Sequence, residues 1–168
     1  MSEAPQMSAG PEMNTALEMS AFRVDTDKRA LDVDMIHRVL AAAYWSENIP
    51  RAVVERAIAG SLCFGGYLDG HGQVAFARMV TDGATFAYLA DVFVLPDHQG
   101  KGYAKALMAV IMAHPDLQGV RRMMLATRDA HGLYAQFGFG AMAAPDRIME
   151  IHVPDIYRRA AQAGEVVA

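Results

Sequence analysis

The stretch with the clearest capacity for chemistry is Gln99-Gly100-Lys101-Gly102-Tyr103-Ala104, which follows an apolar run and opens a segment with helical spacing. A helix that begins here leaves its first N–H groups without intrahelical acceptors. With small residues beside them and the positive end of the helix dipole behind them, such groups suit a phosphate-bearing ligand. Gly102 lets the backbone approach phosphate oxygens closely, Ala104 keeps the first turn narrow, and Lys101 adds positive charge. Two phosphate-binding patterns fail on spacing. A P-loop needs four residues between its first glycine and a Gly-Lys-Ser/Thr, whereas one residue separates Gly100 from Gly102. A dinucleotide fingerprint needs a third small residue where Lys105 stands. It also needs an acidic residue to hold a ribose, and Val120-Arg121-Arg122 supplies none.

The remaining reactive side chains are fewer. Asp91 lies within an apolar strand, where a carboxylate must be desolvated or paired; it is either a candidate base or the partner of a neighbouring group. His37, His71, His98, His114, His131 and His152 are scattered without metal-ligand spacing and without a cysteine cluster, so no metal site is expected. The single cysteine, Cys63, excludes an intrachain disulfide and sits among apolar residues, where it reads as a small buried hydrophobe.

The elements that must position these groups follow from length and periodicity. At 168 residues and 53% hydrophobic content the chain can form one domain with a substantial core. Residues 1–20 are rich in Pro, Gly, Ser and Met and are expected to be a flexible tail, leaving residues 21–168 as a single domain. A net charge of −4 gives no electrostatic case for nucleic acid or an anionic membrane as partner. No apolar run approaches the roughly 18 residues needed to cross a bilayer, and the N-terminus lacks the pattern of a secretion signal. A soluble, reducing, cytoplasmic setting is therefore expected.

Phe22–Val24 reads as a first short strand. Asp32 caps a helix carrying Ile36, Val39, Leu40 and Ala43, and a second helix runs from Pro50 to Gly60. Residues 61–68, 73–80 and 85–94 read as strands of an antiparallel meander, with Asp69-Gly70 and Asp82-Gly83 as turns. The third is apolar from Val92 to Leu95 and is expected to be central. A helix follows the glycine turn, then a strand at 122–126 placed parallel to 85–94 by a right-handed crossover. A last helix over 130–137, closed by Gly138, and terminal strands at 139–142 and 147–153 complete an α/β fold with a mixed, mostly antiparallel sheet.

A third phosphate pattern, Gln/Arg-x-x-Gly-x-Gly/Ala, is met in full by Gln99, Gly102 and Ala104. The block from Val92 to Ala104 resembles the acyl-CoA-binding motif of the GNAT N-acetyltransferase superfamily. Tyr134-Ala135-Gln136-Phe137-Gly138-Phe139 resembles the Tyr-x-x-x-Gly-Phe that ends that family's last helix. The order of elements agrees over residues 22–153. The resemblance implies a GNAT-like sheet that splays open at the acyl-CoA site, with acetyl-CoA as cofactor. Val92, Phe93 and Val94 would lie along the pantetheine arm, Gln99 to Ala104 would hold the pyrophosphate, and the gap would begin near Phe93. It implies transfer of an acetyl group to a primary amine of a small molecule or peptide by direct attack. Tyr134 would be the proton donor to the departing thiolate, its ordinary pKa of about 10 being close to that of an alkyl thiol. Asp129 stands where the family often has a cofactor-contacting asparagine and could equally cap the last helix. Tyr44 and Trp45 would border the acceptor pocket. Two other readings share the glycine turn: a catalytically silent acyl-CoA-binding or sensing module, and a nucleotide-binding protein. Spacing does not fix the oligomeric state; a homodimer is a common form of soluble families of this kind.

Overall fold

The computed structural model describes residues 21–163; the expected tail over residues 1–20 lies outside them. Five strands form one sheet in the order β1-β2-β3-β4-β5: β1 Phe22–Asp25, β2 Leu62–Leu68, β3 Gly72–Thr81, β4 Phe86–Val94 and β5 Arg122–Leu125. The first four are antiparallel neighbours, and β5 joins β4 in parallel. The parallel pair is connected through helix α3, Tyr103–Ala113, as the crossover rule requires. The turn before β4 is held by Asp82, whose Oδ1 accepts hydrogen bonds from the N–H groups of Ala84, Thr85 and Phe86.

The sheet separates two cores. On one side pack α1, Val33–Ala42, and α2, Arg51–Ala59, which bury Ile36, Leu40, Val54 and Ile58 against Phe76 and Phe93. The Asp32 carboxylate caps α1 by accepting from Met35 N–H at 2.9 Å. On the other side α3 buries Leu107, Met108 and Ile111 against Phe64, Val74, Ala77 and Leu89. The start of α3 is tied to the sheet through aromatic stacking. Phe22 of β1 lies on the Tyr103 ring, 4.6 Å between centroids. That seat requires a glycine beneath it, because a Cβ at Gly66 would stand 2.7 Å from the Phe22 ring and 2.8 Å from Ala75 Cβ.

The C-terminal third departs from the sequence expectation. The last helix before Gly138, α4, is short, His131–Ala135, and no strand forms over 139–142 or 147–153. A 3-10 turn at Pro145–Arg147 interrupts the region, and residues 147–153 run without a neighbouring strand. Their alternating apolar residues have strand periodicity, but period alone names no partner strand. A helix not anticipated from the sequence, α5, Ile156–Ala163, follows; Ala160 is buried and Tyr157 packs against the α1–α2 core.

Cys63 is 1% exposed, as the apolar run around it implied. Burial, the largest influence, pushes its thiol up to about 11. The thiolate is the reacting form, so at pH 8 only about one thiol in a thousand is competent. Iodoacetamide labelling of the folded protein at pH 8 is expected to be about a hundredfold or more slower than in urea, where the thiol regains an ordinary pKa. Mass spectrometry of timed aliquots checks this.

Candidate active site

The site grows from an irregularity in β4. Ala90 pairs with Arg78 and Phe93 with Phe76, so Asp91 and Val92 together oppose Ala77: a β-bulge. Asp91 adopts φ 54°, a left-handed conformation that costs a non-glycine residue about 1–2 kcal/mol. Its side chain, 10% exposed, is ion-paired through Oδ2 with Arg78, and its Oδ1 accepts a hydrogen bond from Trp45 Nε1–H at 3.3 Å. Both carboxylate oxygens are thus engaged by side chains from other elements.

Before the bulge β4 is paired with β5 as far as Leu89 and Leu125; beyond it there is no pairing. The opening expected near Phe93 therefore begins at Ala90, three residues earlier, because the bulge turns β4 away from its parallel neighbour. Past the bulge Leu95 N–H donates to Val74 C=O on the β3 side at 2.8 Å. By alternation the polar groups of Val92 and Val94 point the other way, into the opening. The Val94 carbonyl is already used: Gln99 Nε2 donates to it at 2.9 Å, fastening the glycine turn to the end of the strand.

The turn itself has the geometry its glycines suggested. Gly100 and Gly102 have φ 76° and 90°. Gly102 is the N-cap of α3, and the first bond of the helix runs from Ala106 N–H to Gly102 C=O at 3.1 Å. The N–H groups of Gly102, Ala104 and Lys105 consequently have no backbone acceptor among the described residues. They face a cavity of ≈ 490 Å³ whose walls include Val94, His98, Gln99, Tyr103 and Leu133. A rim of donors without backbone acceptors at a helix N-terminus, beside a largely apolar cavity, suits a ligand that carries phosphates next to an apolar portion.

Tyr134 lies on α4, next in sequence to the cavity-lining Leu133. Its spacing to Gly138 and Phe139 is that of a Schellman ending. Phe139 N–H donates to Tyr134 C=O at 3.3 Å and Gly138 N–H to Ala135 C=O at 3.2 Å, with Gly138 at φ 87°. The Phe139 ring meets the Tyr134 ring edge-on at 6.1 Å. Tyr134 is 9% exposed; burial chiefly, then the proximity of Tyr44 and Asp129, holds its phenol above the usual tyrosine value. Leu133, one residue before it, lines the cavity.

Tyr44 and Trp45 stand in the turn after α1, half exposed and edge-to-face at 5.0 Å. The Arg128 guanidinium covers the Tyr44 ring at 3.8 Å. These contacts bring the α1–α2 turn to the same opening as Asp91 and Tyr134. Asp129 does not cap α4: the N-cap is Ala130, whose N–H donates to Thr127 Oγ1 at 3.0 Å. Asp129 is instead exposed and faces Arg128 at 3.5 Å. Arg78 and Arg128 went unnoticed in the sequence. The register of the β3–β4 hairpin was the one signal that could have brought Arg78 beside Asp91; nothing local marks Arg128.

Comparison with known proteins agrees with this geometry. The model of the Acetyltransferase (GNAT) family matches residues 33–139. A Gibberella zeae protein, FG08082, described as a candidate acetyltransferase, is 34% identical over 137 residues, 68% of this chain and 76% of its own. A solved structure from Xanthomonas campestris pv. campestris, described as a candidate acetyltransferase of the GNAT family, is 58% identical. It covers 81% of this chain and 96% of its own at a TM-score of 0.79. N-acetylglutamate synthase from Neisseria gonorrhoeae, solved with coenzyme A and L-arginine, shares the fold at 20% identity and a TM-score of 0.61. The match covers 77% of this chain and 29% of that one.

Gly102, at φ 90°, holds a backbone conformation that residues with side chains rarely adopt. Gly102→Val is expected to weaken binding of coenzyme A by about tenfold or more, since the strained turn misdirects the donors that follow it. Isothermal titration, with circular dichroism to verify the fold, checks the outcome.

Proposed function

Because the chain belongs to the GNAT acetyltransferase family, which uses acetyl-CoA, we propose that it transfers an acetyl group to a primary amine of a small molecule or peptide by direct attack in a ternary complex. The observation that carries this reading is one cavity that brings together Val94 at the end of β4, the donor rim of α3 and Leu133, the residue before Tyr134, beside the β4–β5 opening.

Each residue then has a task. The N–H groups of Gly102, Ala104 and Lys105 hold the pyrophosphate, helped by the α3 dipole. The polar groups of Val92 that face the opening align the extended arm as a further strand would, while Gln99 keeps the turn at the correct distance from β4. Acetyl-CoA, when bound, supplies the thioester carbon that the amine attacks. A new C–N bond forms as the C–S bond breaks; the amine sheds a proton, and Tyr134 gives one to the departing sulfur. Burial suits that role, for it keeps the phenol protonated throughout the neutral range. Tyr44 and Trp45 form the acceptor wall, a rigid aromatic surface covered on one side by Arg128. Asp91, with both oxygens engaged, serves to hold the bulge and to orient Trp45. Proton removal from the amine passes to water.

One observation favours the catalytically silent acyl-CoA-binding module: the Tyr134 ring already has a packing role against Phe139. A turnover assay that follows free thiol over a panel of polyamines, amino acids and peptides separates the two. Turnover with an amine supports the transferase. Tight coenzyme A binding without turnover across the panel favours the silent module.

For an accepted amine, Tyr134→Phe is expected to lower kcat by about tenfold or more while the KM for acetyl-CoA hardly moves. Asp91→Asn is expected to raise the KM of the amine several-fold, with kcat and the shape of its pH profile retained. Steady-state kinetics over pH 6–9 measures both; loss of the low-pH limb in the Asp91 variant would return that carboxylate to the role of base.

A further inference from the structure

The turn after α1 and the segment after β5 meet in a corner built from aromatic rings and one cation. Tyr44 and Trp45 are large and half-exposed, and each is fixed by a contact from another element. Trp45 Nε1–H donates to Asp91 Oδ1 at 3.3 Å, so the indole is anchored by its polar end and leaves apolar ring surface open. The Arg128 guanidinium lies over the Tyr44 ring, 3.8 Å from its centroid. Aromatic surface left open in this way, with its polar end already satisfied, suits contact with the apolar part of a ligand.

Arg128 is the group in this corner whose bonding is incomplete. A guanidinium carries five N–H donors in a fixed fork. The Tyr44 ring occupies one side of it and supplies no oxygen acceptor. The Asp129 carboxylate stands 3.5 Å from Nη2, and the two side chains are 65% and 69% exposed. An exposed pair of that kind is weak. Among the described residues the guanidinium has no other partner. The ring nevertheless fixes where it stands, which leaves a preorganised fork beside the aromatic wall.

The surrounding charges select the ligand. Asp91 is already neutralised by Arg78 and offers no free carboxylate to a cation. A polycationic amine would therefore meet repulsion from Arg128, offset by Asp129 alone. A carboxylate meets the reverse, because the fork of Arg128 suits its two oxygens and Asp129 stands beside it as counter-charge for a neighbouring ammonium. The corner is also close to Tyr134: after burial, the charges of Tyr44 and Asp129 are what raise that phenol above its usual value.

We infer that this corner binds a free α-amino acid with an aromatic or large apolar side chain, Arg128 holding its carboxylate and Tyr44 and Trp45 its side chain. As an identification of the acceptor this rests on the acetyl-transfer reading, in which the products are the N-acetyl amino acid and the coenzyme A thiol. The α-amino nitrogen loses one proton to water before it attacks. Its C–N bond forms as the C–S bond breaks, and it sheds a second proton to water. The sulfur takes a proton from Tyr134, which regains one from solvent.

Trp45 is the single tryptophan of the chain, so its fluorescence reports occupancy of this corner directly. The full chain, saturated with coenzyme A, is titrated with L-phenylalanine, with 2-phenylethylamine, which lacks only the carboxylate, and with spermidine. L-Phenylalanine is expected to bind about tenfold or more tightly than 2-phenylethylamine, and Arg128→Gln to bring the two within about twofold. Circular dichroism verifies that the variant is folded. A variant that weakens both compounds alike would make Arg128 a mere prop for Tyr44 and overturn the proposal. Wild-type protein that binds 2-phenylethylamine or spermidine as tightly as L-phenylalanine overturns it too. Release of free thiol separates the two readings. Turnover of spermidine or 2-phenylethylamine in preference to L-phenylalanine keeps the transferase and sinks the amino-acid site. Arg128-dependent binding of L-phenylalanine without turnover of any amine sinks the transferase and leaves the carboxylate site in place.

Discussion

The bulge at Asp91 is the constraint on which the site depends. Two parallel strands normally stay together because each supplies the other's backbone partners. Here one extra residue in β4, in a left-handed conformation, ends that pairing after Leu89 and exposes a row of polar groups beyond it. The conformation is held by groups from two other elements, Arg78 of β3 and Trp45 of the α1–α2 turn. The opening is therefore a product of the assembled sheet and not of any one segment. Strain concentrated at a site and fixed by surrounding structure is the usual arrangement where a backbone must present itself to a ligand.

Two glycine-dependent chain reversals frame that opening. Gly102 starts α3 with its donors outward, and Gly138 ends α4 so that Tyr134 is buried beside Phe139. The first needs an unfilled N-terminus and the second a filled C-terminus, since Gly138 and Phe139 supply donors for the last carbonyls of α4. One helix end leaves its groups free, the other satisfies them.

The central fold was legible because its elements are local or follow fixed rules: the capped helix at Asp32, the Asp-Gly turns and the right-handed crossover through α3. The glycine turn was legible for the same reason, as a left-handed helix start needs glycine at one particular position. Tyr134 could be placed through its motif, but the reason for the spacing, a Schellman ending with an aromatic contact, emerged in three dimensions. The region after Phe139 was misread. Alternating residues over 147–153 have strand character, and a strand also requires a neighbour that period cannot specify. Asp129 left two readings open, a cofactor contact or a cap; the cap fails because the helix starts one residue later, with Ala130 at the N-cap position.

The sequence by itself determined which segments could be strands and helices, where the glycine turn that opens α3 lies, and that Cys63 is buried. Those properties depend on residues close together along the chain. Only the tertiary structure decided that Arg78 and Trp45 converge on Asp91, that Arg128 covers Tyr44, and that β4 and β5 part at Leu89. Contacts between residues 13, 46 and 84 positions apart depend on register and packing, which no local spacing encodes.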